Sequence, residues 1–117
     1  MRTSDKRLQT SLNKQIVGMF VQTIIDLKNP KDAQVFFNDF FTDSEIETFS
    51  KRLAIAYWLK KGRSYANIKN NLKVSSATIA SVQNLLDKDG ILVALKNIEA
   101  DEWAHIWAGK IKKIVRK

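Results

Sequence analysis

Apolar residues recur at helical intervals along most of the chain, and alternating runs of β-branched residues are absent. The pattern predicts an all-α protein. Helices are expected near residues 7–28, 31–41, 43–61, 65–72, 75–87, 91–99 and 101–116. The punctuation agrees with these bounds. Asn29 followed by Pro30 is an N-cap with the favoured first helical residue. Thr42 and Glu45 in "TDSE" form a capping box, Gly62 stands where a helix C-terminus needs a glycine, and "DKDG" at 87–90 is a turn.

The helix over 43–61 changes character halfway. Ile46, Phe49 and Leu53 make an ordinary stripe, whereas "LAIAYWL" is apolar on every side. A helix that is hydrophobic all round must be surrounded, and a chain of 117 residues has few helices with which to do it. A second copy of the chain is the simplest cover, with Phe49, Leu53, Ile55, Trp58 and Leu59 as the dimer core. The alternative is a membrane-adjacent helix or one covered within its own chain.

After Gly62 a short helix, a tight turn and another helix form a helix-turn-helix over 64–87, with Ile68, Leu72, Val74, Ile79 and Val82 at its core positions. Within "LKVSSATIASVQNLL", at about 100° per residue, Ile79, Val82 and Leu86 fall on one side of the second helix. Ala77, Ala80, Ser81, Asn84 and Lys88 fall on the other, and Ser76 and Thr78 flank it at the first turn. Small side chains let a helix approach base edges closely; hydroxyls and amides hydrogen-bond there, and alanine sits against a thymine methyl. Ser76, Ala77, Thr78, Ala80, Ser81 and Asn84 are therefore the candidate base readers. Lys60, Lys61, Arg63, Tyr65, Lys69, Lys73 and Ser75 are the candidate phosphate contacts, with Ser75 also placed as an N-cap. With no Arg, Gln or His on most of the reading face, shape readout and bridging water gain weight. Taken singly, each hydroxyl is better read as a solvated surface position.

Charge strengthens this picture. The net charge is +8, and from Lys51 to Leu86 there are seven cations and no acid. Residues 26–50 are net acidic, and "KIKKIVRK" at the end carries five cations. Charge in blocks is the footprint of a polyanion partner, against the alternative of a protein that happens to be basic; taken with the helix-turn-helix, the expected partner is double-stranded DNA. The composition, 44% hydrophobic and 27% charged, fits a globular domain. The chain has no cysteine, no apolar run approaching the roughly 20 residues of a membrane span, and no secretory pattern at its start, so a cytoplasmic protein is expected.

"FFNDFFTDSEIETFSKRLAIAYWLKKGRSYANIKNNLKVSSATIASVQNLL" resembles the Trp repressor superfamily, in its YerC/YecD-like branch. The likeness covers roughly residues 16–88; "FTDSEIETFSKRLAIAYWLKKG", "SYANIKNNL" and "SSATIASV" are its most specific parts. It implies a Trp-repressor-like, intertwined, all-helical homodimer that presents two helix-turn-helix units to DNA as a transcriptional regulator. In tryptophan-responsive members, an arginine on the central helix and another on the reading helix sandwich the corepressor. Arg52 stands at the first position, Ser81 at the second, and Leu85 replaces a small polar residue. Serine offers neither stacking surface nor charge, so no tryptophan site is expected. Arg52 is then left to pair with an acid such as Glu45 or Glu47 of either chain, or to lie near phosphate.

The chain divides, on this reading, into a Trp-repressor-like domain over 1–99 and a basic amphipathic C-terminal helix over 100–117. On that last helix Trp103, Ile106, Trp107, Ile111, Ile114 and Val115 share a face that packs on the dimer, adds phosphate contacts or docks a partner. No catalytic constellation, Gly-rich phosphate loop, metal-ligand spacing or cofactor motif is visible, and His105 is the single histidine. Neither an enzyme nor a cofactor is expected, and the sequence singles out no effector. Two other readings use the same residues: a helical adaptor whose basic surface is incidental, and an RNA binder, against which the lack of exposed-looking aromatics in the basic block argues.

Overall fold

The computed structural model describes residues 9–115, with the side chains of Trp103 and of residues 106–115 apart. All regular structure among these residues is helical: α1 (Thr10–Ile25), α2 (Pro30–Phe40), α3 (Asp43–Lys60), α4 (Tyr65–Leu72), α5 (Ser76–Gln83) and α6 (Asp89–Val115). Two units divide the chain, residues 1–46 and 47–117.

In the first unit the expected caps are in place. Asn29 accepts a hydrogen bond from the Asp32 N–H at 2.8 Å, with Pro30 opening α2. Thr42 and Glu45 close the reciprocal capping box, Oγ1 accepting from the Glu45 N–H at 3.1 Å and Oε1 from the Thr42 N–H at 2.9 Å. Phe36 stacks on Phe40 at 5.0 Å between ring centroids, and Phe20 lies 5.8 Å from Phe40. Yet no residue of α1 or α2 is buried. Met19, Ile25 and Phe40 remain 67%, 63% and 60% exposed. This unit has the aromatics of a core without its enclosure.

The second unit holds the core of the chain: Ile55 and Ala56 of α3, Ile68 of α4, Ile79 and Val82 of α5, and Leu95 of α6. Trp58, Leu59, Leu72, Val74, Leu86 and Ile91 pack against it. Gly62 ends α3 in a Schellman arrangement, with the Arg63 N–H donating to the Trp58 carbonyl and the Gly62 N–H to that of Leu59. Its φ of 86° is one that glycine adopts without a Cβ penalty.

Three boundaries differ from the pattern. The first helix starts at Thr10 and ends at Ile25, with residues 7 and 8 outside the described region. α5 stops at Gln83, four residues early, and a turn leads into α6. The two last helices expected at 91–99 and 101–116 are one, α6, running on through Ala100. Asp101 and Glu102 have the composition of a helix start, but no Gly or Pro lies between Ile91 and Ala108 to end the helix before them. The aromatic stripe expected beyond residue 100 involves side chains outside the described region.

Candidate nucleic-acid interface

α5 divides by side. Ile79 and Val82 are buried in the core, whereas Ser76, Ala77, Thr78, Ala80, Ser81 and Asn84 are all exposed. Ser75 caps the helix: its Oγ accepts from the Thr78 N–H at 3.1 Å and lies 2.9 Å from Thr78 Oγ1. Two hydroxyls share one hydrogen in that contact, so the other hydrogen remains available for an outside acceptor. Asn84 follows the last turn and donates its N–H to the Ala80 carbonyl.

α4 is fixed by the same devices. Ser64 accepts from the Asn67 N–H at 3.1 Å, and Ile68 anchors the helix in the core. The turn between α4 and α5 is made by Lys73, in the left-handed region at φ 56°, whose N–H donates to the Lys69 carbonyl.

The candidate phosphate residues separate into two groups. Lys60, Lys69 and Lys73 are exposed and carry no ion pair among the described residues. The others are already engaged. Lys61 lies 3.8 Å from Glu102 of α6 and over the Tyr57 ring. Arg63 lies over the Trp58 ring, with its guanidinium carbon 4.0 Å from the centroid, and reaches Asn67. The Tyr65 hydroxyl donates to Gln83 Oε1, which ties α4 to the end of α5. A phenol has one hydrogen and phosphate only accepts, so with that hydrogen on Gln83 the Tyr65 hydroxyl has none left to offer a phosphate in this arrangement. Sequence reasoning missed Gln83 because its partner is 18 residues away.

The five residues assigned to a dimer core are also placed differently from one another. Ile55 is 0% exposed within its own chain, and Trp58 and Leu59 pack against the core it belongs to. The apolar half of α3 is thus covered largely by α4, α5 and α6, a cover that the count of helices in the sequence underestimates. Phe49 and Leu53 remain 46% and 43% exposed. With Arg52, Ala56, Val82, Leu85 and Ile91 they line a cavity of about 110 Å³. Arg52 lies over the Phe49 ring at 5.8 Å. Of its expected acidic partners, Glu47 pairs with Lys51 at 2.9 Å and Glu45 serves the capping box.

Among the described residues, no helix is long and apolar enough to cross a membrane. No group of three or more His, Cys, Asp or Glu there could hold a metal ion.

Comparison with known proteins agrees with this architecture. The model of the Trp repressor protein family matches residues 15–95. An uncharacterized protein of Bacillus subtilis (strain 168), YerC, is 32% identical over 91 residues, which span 76% of this chain and 86% of that protein. The crystal structure of a candidate Trp repressor from Staphylococcus aureus superposes with a TM-score of 0.64 at 29% identity, covering 85% of this chain and 95% of that one. This is a family of helix-turn-helix regulators and not of enzymes. Its matched span takes in the capping box, the Gly62 terminus and the divided faces of α5. The chain belongs to the Trp repressor family, in its YerC-like branch.

Proposed function

We propose that the protein is a transcriptional regulator that binds specific sites in double-stranded DNA as a homodimer, with α5 in the major groove and without tryptophan as corepressor. The observation that carries this reading is the division of α5. Two branched residues hold it to the core, and Ser76, Ala77, Thr78, Ala80 and Ser81, with Asn84 just past its end, are left exposed on its open side. A helix so trimmed can approach base edges.

Dimerisation is supported by apolar surface that one chain leaves open: Met19, Ile25 and Phe40 in the first unit, Phe49 and Leu53 in the second. Exposed apolar surface of this extent marks an association face. Two features speak against tryptophan. Ser81 is an exposed serine with no stacking surface, and Leu85 lines the cavity beside Arg52 with an apolar side chain.

Selection of bound duplexes from a random pool tests the reading. A two-fold symmetric motif is expected, with half-sites about 34 Å apart, and binding that is unchanged by tryptophan. Changing Ser76, Ala80 or Asn84 to Glu should abolish binding. Retained binding in all three variants, or binding without any enriched motif, would overturn it.

A further inference from the structure

A second opening in the helix-turn-helix unit shares Arg52 with the apolar cavity and is otherwise lined by different residues. Thr48, Lys51, Arg52 and Ile55 of α3, Val74 of the turn and Thr78 of α5 line a groove of about 240 Å³. The spacing 48, 51, 52, 55 places these four residues on one face of α3. Ile55 is wholly buried and forms the floor with the half-buried Val74; Thr48, Arg52 and Thr78 form an exposed rim, with Lys51 half-buried beside them. The groove therefore has an apolar base, two cations and two hydroxyls, and no acid among its lining residues.

We infer that this groove seats a DNA backbone phosphate next to the first turn of the reading helix, held by Lys51 and Arg52; the inference rests on the DNA-binding reading above. The chemistry fits a phosphodiester. A guanidinium offers paired donors to two phosphate oxygens, and an ammonium adds a point charge that needs no fixed geometry. Thr78 shares one hydroxyl hydrogen with Ser75, and the other hydrogen of that pair is free to reach the same phosphate.

Position supports the duplex backbone as the source of the phosphate. The rim includes Thr78, which also belongs to the open face of α5. A backbone strand bordering the groove in which α5 lies must pass close to that first turn. A phosphate held there fixes the depth and tilt of α5 without reading sequence. Glu47 competes for Lys51 at 2.9 Å, but its side chain is mostly exposed and a pair of this kind is weak.

The test is the salt dependence of duplex binding by the full chain, with circular dichroism confirming that each variant folds. Each phosphate contact contributes about 0.9 to the slope of log K against log salt. Arg52→Gln and Lys51→Gln together should lower the slope by about that amount and each alone by part of it, and neither should change the selected motif. Glu47→Gln frees Lys51 and should tighten binding roughly two- to threefold, a gain that misfolding cannot mimic. Wild-type slopes in both cation variants, with the parent chain binding duplex normally, would overturn the groove and leave the DNA-binding reading intact. Failure of the parent chain to bind duplex would overturn both. Inorganic phosphate that occupies the groove while duplex binds with an unchanged slope would make it a free-anion site and overturn the backbone assignment.

Discussion

Lys73 closes α4 in the left-handed conformation, at φ 56° and ψ 52°, and donates its N–H to Lys69. For a residue with a Cβ this conformation costs about 1–2 kcal/mol relative to a right-handed one. Glycine removes that cost but loses more conformational freedom on folding, worth about 0.5–1 kcal/mol. The difference for Lys73→Gly is a gain between about 0 and 1.5 kcal/mol, centred on about 0.8 kcal/mol, the centre being equivalent to roughly 3–5 °C in Tm for a chain near this size. Lys73 is also an exposed cation beside α5 and one of the candidate phosphate contacts. Its removal should lower the salt slope by about 0.9. One substitution therefore raises stability and weakens DNA binding. Urea unfolding at a fixed protein concentration measures the first effect, since the stability of an associating chain depends on its concentration. Fluorescence anisotropy with labelled duplex over a range of salt measures the second. Lys73→Asn separates them from side-chain packing, because asparagine tolerates the left-handed region and carries no charge. A loss of stability in Lys73→Gly would refute the strain argument; an unchanged slope would refute the contact.

Ser75→Ala removes the acceptor for the Thr78 N–H and should cost about 1 kcal/mol in urea unfolding, the usual worth of an N-cap. Tyr57→Phe deletes a buried hydroxyl with no partner among the described residues, and should raise stability by about 1 kcal/mol in the same assay. Leu53→Glu puts a charge on the exposed apolar side of α3. Burying that leucine is worth about 2 kcal/mol per protomer and counts twice across a two-fold interface, so sedimentation should show a shift to monomer. A variant that stays dimeric would place the interface elsewhere.

What could be read in the sequence was local. The capping box of Thr42 and Glu45, the Asn29 cap and the Gly62 terminus each depend on residues within one turn, and each is where it was expected. The division of α5 followed from periodicity, because a short amphipathic helix has only one way to face a core. What could not be read depends on approach between distant segments. Nothing in the chain marks Lys73 as left-handed, since lysine gives no sign of that conformation. The bond from Tyr65 to Gln83 and the joining of Thr48, Lys51 and Arg52 to Thr78 require α3, α4 and α5 to be packed first. Ile55 was drawn toward a dimer core by the same limit: periodicity shows that a residue is buried, not by which chain.

Arg52 is the residue on which these surfaces meet. It lines both the apolar cavity with Phe49 and Leu53 and the basic groove with Lys51 and Thr78. An interface formed over Phe49 and Leu53 would thus press on the same side chain that is proposed to hold phosphate. Effects of substitutions on either surface should therefore be non-additive, as expected for residues that share a partner. Protein concentration distinguishes the two roles. The loss of affinity caused by Leu53→Glu should be recovered as concentration rises and the dimer re-forms by mass action. The reduced salt slope of Arg52→Gln should persist at every concentration, because a missing phosphate contact cannot be restored by association. If the Arg52→Gln slope returns to that of the parent chain at high concentration, the arginine serves the dimer alone.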